Sequence, residues 1–309
     1  MAGAPGRPGR RLAPYAAAGA TTILWSSSFV LVKLGLQSIP PLYFATLRYS
    51  LAFLILLAVD LAFTRRGKGG SPIGRKGVAL LAVAGVGGYT LAQGLQFVGL
   101  YYLPAVTTSF LLNFNPFYVL LLGAVLLDTR VTLVQVAGLG LAVVGALVFF
   151  SESVAWGGQF FGVAVVIVSG VGWGVYVLAV RVLHAGRSVS PLRLTTITMG
   201  IGVAGMVGLT VASRQYAPLT TESVIIVAWL ATANTALAFY LWNWSLQVIP
   251  AYELTLMQDV MLVEIALFAF FFLGEAITPV MVAGMGLVLA GVAVVQLKGR
   301  AELASEAGA

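Results

Sequence analysis

The chain predicts an all-α polytopic membrane protein, with ten transmembrane helices arranged as two inverted five-helix repeats. Three observations predict it. Sixty per cent of its 309 residues are hydrophobic and 9% charged, with a mean hydropathy of +1.00, far from the balance of a water-soluble domain. Apolar runs of about twenty residues recur along the whole length, and each can cross roughly 30 Å of hydrocarbon. The sequence also repeats itself. Thr132, Val136, Ala137, Gly138, Gly140, Leu141 and Gly145 recur at an offset of 146 as Thr278, Val282, Ala283, Gly284, Gly286, Leu287 and Gly291. The same offset pairs Pro104-Ala105 with Pro250-Ala251 and Leu91-Ala92 with Leu237-Ala238, and an offset of 148 pairs Trp25 with Trp173. Duplication inside a membrane protein points to a solute site between the two halves.

The spans follow in order as 14–36, 41–63, 77–99, 103–126, 132–150, 158–182, 191–212, 223–247, 251–273 and 278–297. This divides the chain into a tail (1–13), a first repeat (14–151), a second repeat (152–297) and a second tail (298–309). The Arg-rich start lacks the small-residue cleavage site of a signal peptide and is expected to remain as a mature tail.

Basic residues set the orientation. With the N-terminus in the cytoplasm, Arg7, Arg10, Arg11, Arg65, Arg66, Lys68, Arg75, Lys76, Arg130, Arg181, Arg187, Arg193, Lys298 and Arg300 all fall on the inner side. Arg214 alone falls in an outer loop, and Lys33 and Arg48 lie within helices. The positive-inside rule then places both termini in the cytoplasm of a multi-pass protein of the inner (plasma) membrane. Five helices per half make the second repeat enter the bilayer in the opposite sense. The net charge of +7 is thereby a topology signal, and no nucleic-acid partner is expected.

Several chemistries are excluded on their parts. Gly69 to Lys76 superficially matches a phosphate loop but lacks Gly-Lys-Ser/Thr and a strand–helix context. One histidine, His184, and no cysteine leave too few ligands for a metal site and too few groups for a Ser-His triad. No cofactor, no metal and no enzyme activity are expected.

Polar groups inside spans carry the site, because hydrocarbon tolerates them only when they face a cavity or a partner. Helix 9 holds Gln258, Asp259 and Glu264. Asp259 and Glu264 are separated by about 140° around the helix axis and cannot share one narrow face. Glu264 is expected either to couple a proton or to pair with Arg48 of helix 2 as a structural ion pair, the pair being favoured. Helix 4 offers Asn113 and Asn115 before Pro116, where proline frees backbone polar groups near mid-membrane. The offset of 146 sets Asn113 against Asp259, on equivalent faces. Trp25, Tyr89, Trp173, Tyr176 and Tyr240 lie deep in spans and are candidates to wall the substrate, Trp25 and Trp173 being equivalent. Glycines Gly138, Gly140, Gly145, Gly284, Gly286 and Gly291 predict a close seam between helices 5 and 10, or with a second protomer; monomer or homodimer stays open.

Trp25-Ser26-Ser27-Ser28-Phe29 in helix 1, Arg48, Pro116 and Leu273-Gly274-Glu275 closing helix 9 stand in an order that resembles the drug/metabolite transporter superfamily, in its ten-helix EamA-type branch. Within it the chain looks most like the YddG-type exporters of aromatic and other neutral amino acids. Two departures break the symmetry of that pattern: Leu127-Asp128-Thr129 replaces Leu-Gly-Glu after helix 4, and Leu262 stands opposite Pro116. The resemblance implies a secondary transporter exporting small amphiphilic solutes, aromatic and other neutral amino acids first among them, by alternating access in the lipid bilayer. An exporter of hydrophobic cationic drugs is the alternative, and a channel or scaffold a third class.

Overall fold

The computed structural model describes residues 9–64, 74–126, 131–152, 158–185, 190–246, 248–249, 254 and 257–307. The basic loop at 65–73, Leu127-Asp128-Thr129, the side chain of His184 and the start of span 9 lie outside the described residues. All regular structure among the described residues is helical, and nine helices there are long and apolar enough to cross a membrane. They are α1 (Gly9–Gly35), α2 (Pro41–Thr64), α3 (Arg75–Tyr102), α4 (Ala105–Leu126), α5 (Leu133–Phe150), α6 (Gly158–Ala185), α7 (Pro191–Ser213), α8 (Thr221–Leu246) and α10 (Pro279–Ala307). A further helix, α9, is described over Met261–Leu273 and stands between α8 and α10.

The outer surface is apolar, with Leu133, Phe160 and Phe271 among many exposed side chains, as hydrocarbon requires and water would penalise. Helices pair across the two halves. Ser245 of α8 donates to the carbonyl of Pro14 and Thr21 of α1 to that of Ala238, so α1 and α8 run antiparallel. Ser169 of α6 donates to the carbonyl of Ala92 in α3 at 2.6 Å, the repeat-equivalent bond of Thr21 and Ala238. The second half is therefore built like the first and turned over.

The seam expected of the glycines forms between α5 and α10. A methyl group at Gly138 would meet the carbonyl oxygen of Gly291 at 2.8 Å, and one at Gly145 would meet that of Gly284 at 2.8 Å. Gly140 and Gly286 face open space instead. A second contact joins α3 to α6, where a methyl at Gly172 would meet the oxygen of Gly87 at 2.8 Å. Backbones come this close only where no Cβ intervenes, and the close approach supplies the dispersion contact that holds helices together in lipid.

One end of the bundle, remote from the start of α1 and the end of α10, is tied shut. Gly274 closes α9 in the left-handed region (φ +66°) and turns the chain so that Glu275 reaches α4. Its carboxylate accepts from the amides of Ala105 and Val106 at 2.6 and 3.0 Å. These are orphan donors at the positive end of a helix dipole, where a carboxylate is stabilising.

Candidate functional site

Four helices lose regularity within the bundle, α3, α4, α8 and α9, the last with a turn at Val260 and a π-helical stretch at Ala269–Leu273, and the site grows from the central defects. α4 breaks after Leu112 and restarts at Asn115, because Pro116 gives no amide to the Leu112 carbonyl. The Asn113 side chain folds back to donate to the carbonyl of Ser109 at 2.9 Å. α3 and α8 each widen into a π-helical stretch, Val86–Gln93 and Thr232–Leu237. The offset of 146 maps Val86 onto Thr232, so the widening belongs to both repeats. π-helical turns often mark functional positions because they re-aim side chains that an α-helix would point elsewhere.

Here they re-aim polar ones. Thr235 donates its hydroxyl to the carbonyl of Leu230, five residues back, at 2.8 Å and accepts from Nε of Arg48 at 3.1 Å. Asn234 donates to the Leu24 carbonyl and to the Ser27 hydroxyl of α1, while its own Oδ1 is buried without a partner. Gln93 accepts from the Tyr49 hydroxyl at 2.6 Å.

These groups line a cavity of about 1070 Å³ between the halves, at the upper end of the range for small-molecule pockets. Its lining runs from Arg48 and Gln96 to Gln135, Arg181 and Gln296, at the end of the bundle where α1 begins and α10 ends. It stops short of the end that Glu275 closes. Among the described residues, Arg48, Arg181 and Asp259 are its charged groups, and Arg181 is exposed at the mouth.

Of the residues singled out in the sequence, Trp25, Arg48, Asn113, Trp173 and Asp259 line this cavity together. Asn113 and Asp259, matched by the repeat, both face it. Trp25 packs against Phe239 and Trp242, with ring centroids 5.7 and 5.1 Å apart. Trp173 lies 5.0 Å from Tyr176, which meets Tyr89 at 5.9 Å. Tyr89 is 2% exposed and, with Tyr176, forms a layer behind the wall instead of the wall itself. Tyr240 departs from its expectation. It is 65% exposed on the apolar outside, because one residue of helix turns it about 100° from Phe239, whose ring faces Trp25.

The expected pair of Arg48 and Glu264 does not form. Glu264 accepts from the hydroxyls of Thr22 and Ser26 at 3.0 and 2.7 Å, pinning α9 to α1 away from the cavity. Two hydroxyls on successive turns of α1 satisfy the carboxylate without an arginine. Arg48 turns to Thr235 and to the rings of Tyr49 and Phe97, 5.3 and 5.8 Å from its guanidinium carbon. Sequence reasoning missed Gln93, Asn234, Ser109 and Gln135, which also line the cavity. The signal was present in Gln93 and Asn234, neutral amides near the middle of apolar spans.

Ten-helix architecture, inverted repeats and a polar cavity between them define a membrane transporter. A family model confirms this at sequence level: the EamA-like transporter family matches residues 13–151 and again 160–297, so the chain belongs to that family. The chain is 27% identical to a probable terminal-alkyne amino-acid exporter of Streptantibioticus cattleyicolor, covering 93% of this chain and 95% of the relative. It is 26% identical to an S-adenosylmethionine/S-adenosylhomocysteine transporter of Chlamydia trachomatis, over 87% of this chain and 84% of that one. A crystal structure with 20% identity superposes with a TM-score of 0.61, covering 94% of this chain and 99% of the other, and shows the same fold.

Proposed function

We propose that the chain is a secondary transporter that exports neutral α-amino acids, aromatic ones among them, and their derivatives across the inner membrane by alternating access. One observation carries the reading: a single cavity at the junction of the inverted repeats holds a cation, Arg48, an anion, Asp259, and two tryptophans, Trp25 and Trp173. Opposite charges suit the two ends of a zwitterion, and aromatic faces suit an apolar side chain. The named activities of the two relatives support it, since amino acids and S-adenosylmethionine share an α-amino-acid group. On this reading Asp259, with Asn113, receives the ammonium. A hydrophobic cation would also suit Asp259, but Arg48 in the same cavity opposes it.

With the termini in the cytoplasm, the mouth at Arg181 faces inward, where cargo for export is loaded. Energy comes from the substrate gradient or a coupled ion.

The test is counterflow in proteoliposomes with a panel of radiolabelled amino acids and hydrophobic cations. Saturable exchange of amino acids is expected. Exchange of cations alone would move the assignment to drug export, and non-saturable flux would make the protein a channel. Orientation is checked separately in this cysteine-free chain: Gln215→Cys should react with an impermeant maleimide on intact cells, and Gly74→Cys should not.

A further inference from the structure

We infer that Arg48 binds the substrate carboxylate, so that the carried molecule sits with its carboxylate toward the closed end of the cavity and its ammonium toward Asp259. This rests on the transport reading above and adds the polarity of the bound molecule.

Arg48 is 6% exposed and lines the cavity. Its Nε–H is held by Thr235, and the flat faces of Tyr49 and Phe97 flank the guanidinium. Among the described residues no carboxylate neutralises it. Glu264 is taken by Thr22 and Ser26, Glu275 caps α4, and Asp259 lies beside Gln296. A buried cation without an anion is costly, and proteins keep one where a ligand completes it. The fork also has the right form. With Nε engaged, the terminal nitrogens remain for a carboxylate, which guanidinium binds through two parallel hydrogen bonds.

The neighbouring donors point the same way. Gln93 and Gln96 line the cavity with amides, and the Gln93 oxygen is already occupied by the Tyr49 hydroxyl, leaving its NH₂ to donate. Among the described lining residues Asp259 is the one carboxylate, and it is the group that answers the ammonium. A molecule carrying both charges has one favourable direction of entry.

The test uses the full-length protein in proteoliposomes preloaded with L-phenylalanine, with entry of radiolabelled L-phenylalanine as readout. 2-Phenylethylamine, which lacks the carboxylate, and 3-phenylpropionate, which lacks the ammonium, are the competitors. In the wild-type protein the amine is expected to compete roughly 100-fold more weakly than L-phenylalanine, as a site built for a missing polar group rejects its analogue. Arg48→Gln should abolish this preference, bringing the two within a factor of about three, while Arg48→Lys, which keeps the charge but not the fork, retains only part of it. A structural arginine would lower protein yield and leave the ratio unchanged, which overturns the assignment. Should Arg48→Gln not accumulate, the wild-type competition decides. Equal competition by the amine refutes the carboxylate role while counterflow itself upholds the transport reading. No counterflow for L-phenylalanine, L-leucine or L-methionine would overturn both.

Discussion

Thr21 and Ser169 occupy matching places in the two repeats, and each donates its hydroxyl to the matching carbonyl of the opposite half, Ala238 and Ala92. The glycine seam of α5 with α10 and the widened stretches of α3 and α8 obey the same exchange. Residues that meet the substrate space do not. Trp25 is backed by Phe239 and Trp242, whereas the positions that should back Trp173 are Gln93 and Gln96, both lining the cavity. Asn113 answers to Asp259, and Pro116 to Leu262. The exchange also fails away from the cavity, at the α1–α9 contact, where Glu264 meets Thr22 and Ser26 while its counterpart Tyr118 lies against Gly170 and Gly174. The contrast separates two demands. On the proposed function, alternating between two-fold-related states requires matched hinges and seams, but a cargo with unlike ends requires unlike walls.

The comparison breaks first at the seam. Gly145→Val should destabilise the protein by about 3 kcal/mol or more, because its side chain meets the Gly284 backbone at both-sided contact, whereas Gly140→Ala should be silent. Thermal unfolding in detergent would show it, and equal effects would deny that the seam is a backbone contact. Next, Glu264→Ala leaves the Ser26 hydroxyl without its acceptor, while Thr22 keeps the Gly19 carbonyl, and should cost about 1–2 kcal/mol. Transport per folded molecule should be unchanged; loss of transport in a stable variant would return Glu264 to the pathway. Glu275→Ala removes the anchor of α4 and should cost about 1 kcal/mol. Its sharper readout is labelling of Asn113→Cys from the closed side, expected to rise severalfold. Trp173→Ala should reduce affinity for large apolar amino acids by about 1–2 kcal/mol and for alanine far less. Smallest of all, Tyr240→Leu should change neither stability nor transport by more than about 0.5 kcal/mol, since that side chain faces outward.

Much of the scaffold was legible because lipid makes its rules strict. Span lengths follow from the thickness of hydrocarbon, and paired glycines announce close helices. The repeat also aligned Asn113 with Asp259, and both line one cavity. What sequence could not supply was rotation. Tyr240 and Phe239 are neighbours in the chain but face opposite ways, and apolar spans have no solvent-facing stripe to fix which is which. The partner of Glu264 was missed for a related reason. Charge drew attention to Arg48, while the hydroxyls of Thr22 and Ser26 carry no charge and still satisfy a carboxylate. The π-helical stretches were invisible because one extra residue in a turn leaves hydropathy unchanged.

Those stretches also record history. A π turn is an α-helix that has gained a residue, and here the gain sits at Val86–Gln93 and again at Thr232–Leu237, aligned without a gap. Two independent insertions at one register would be a coincidence, whereas one insertion in a single ancestral half, copied when the gene doubled, accounts for both. Relatives of this chain should carry it in both halves or in neither, and a lineage with the insertion in one half alone would place it after the doubling.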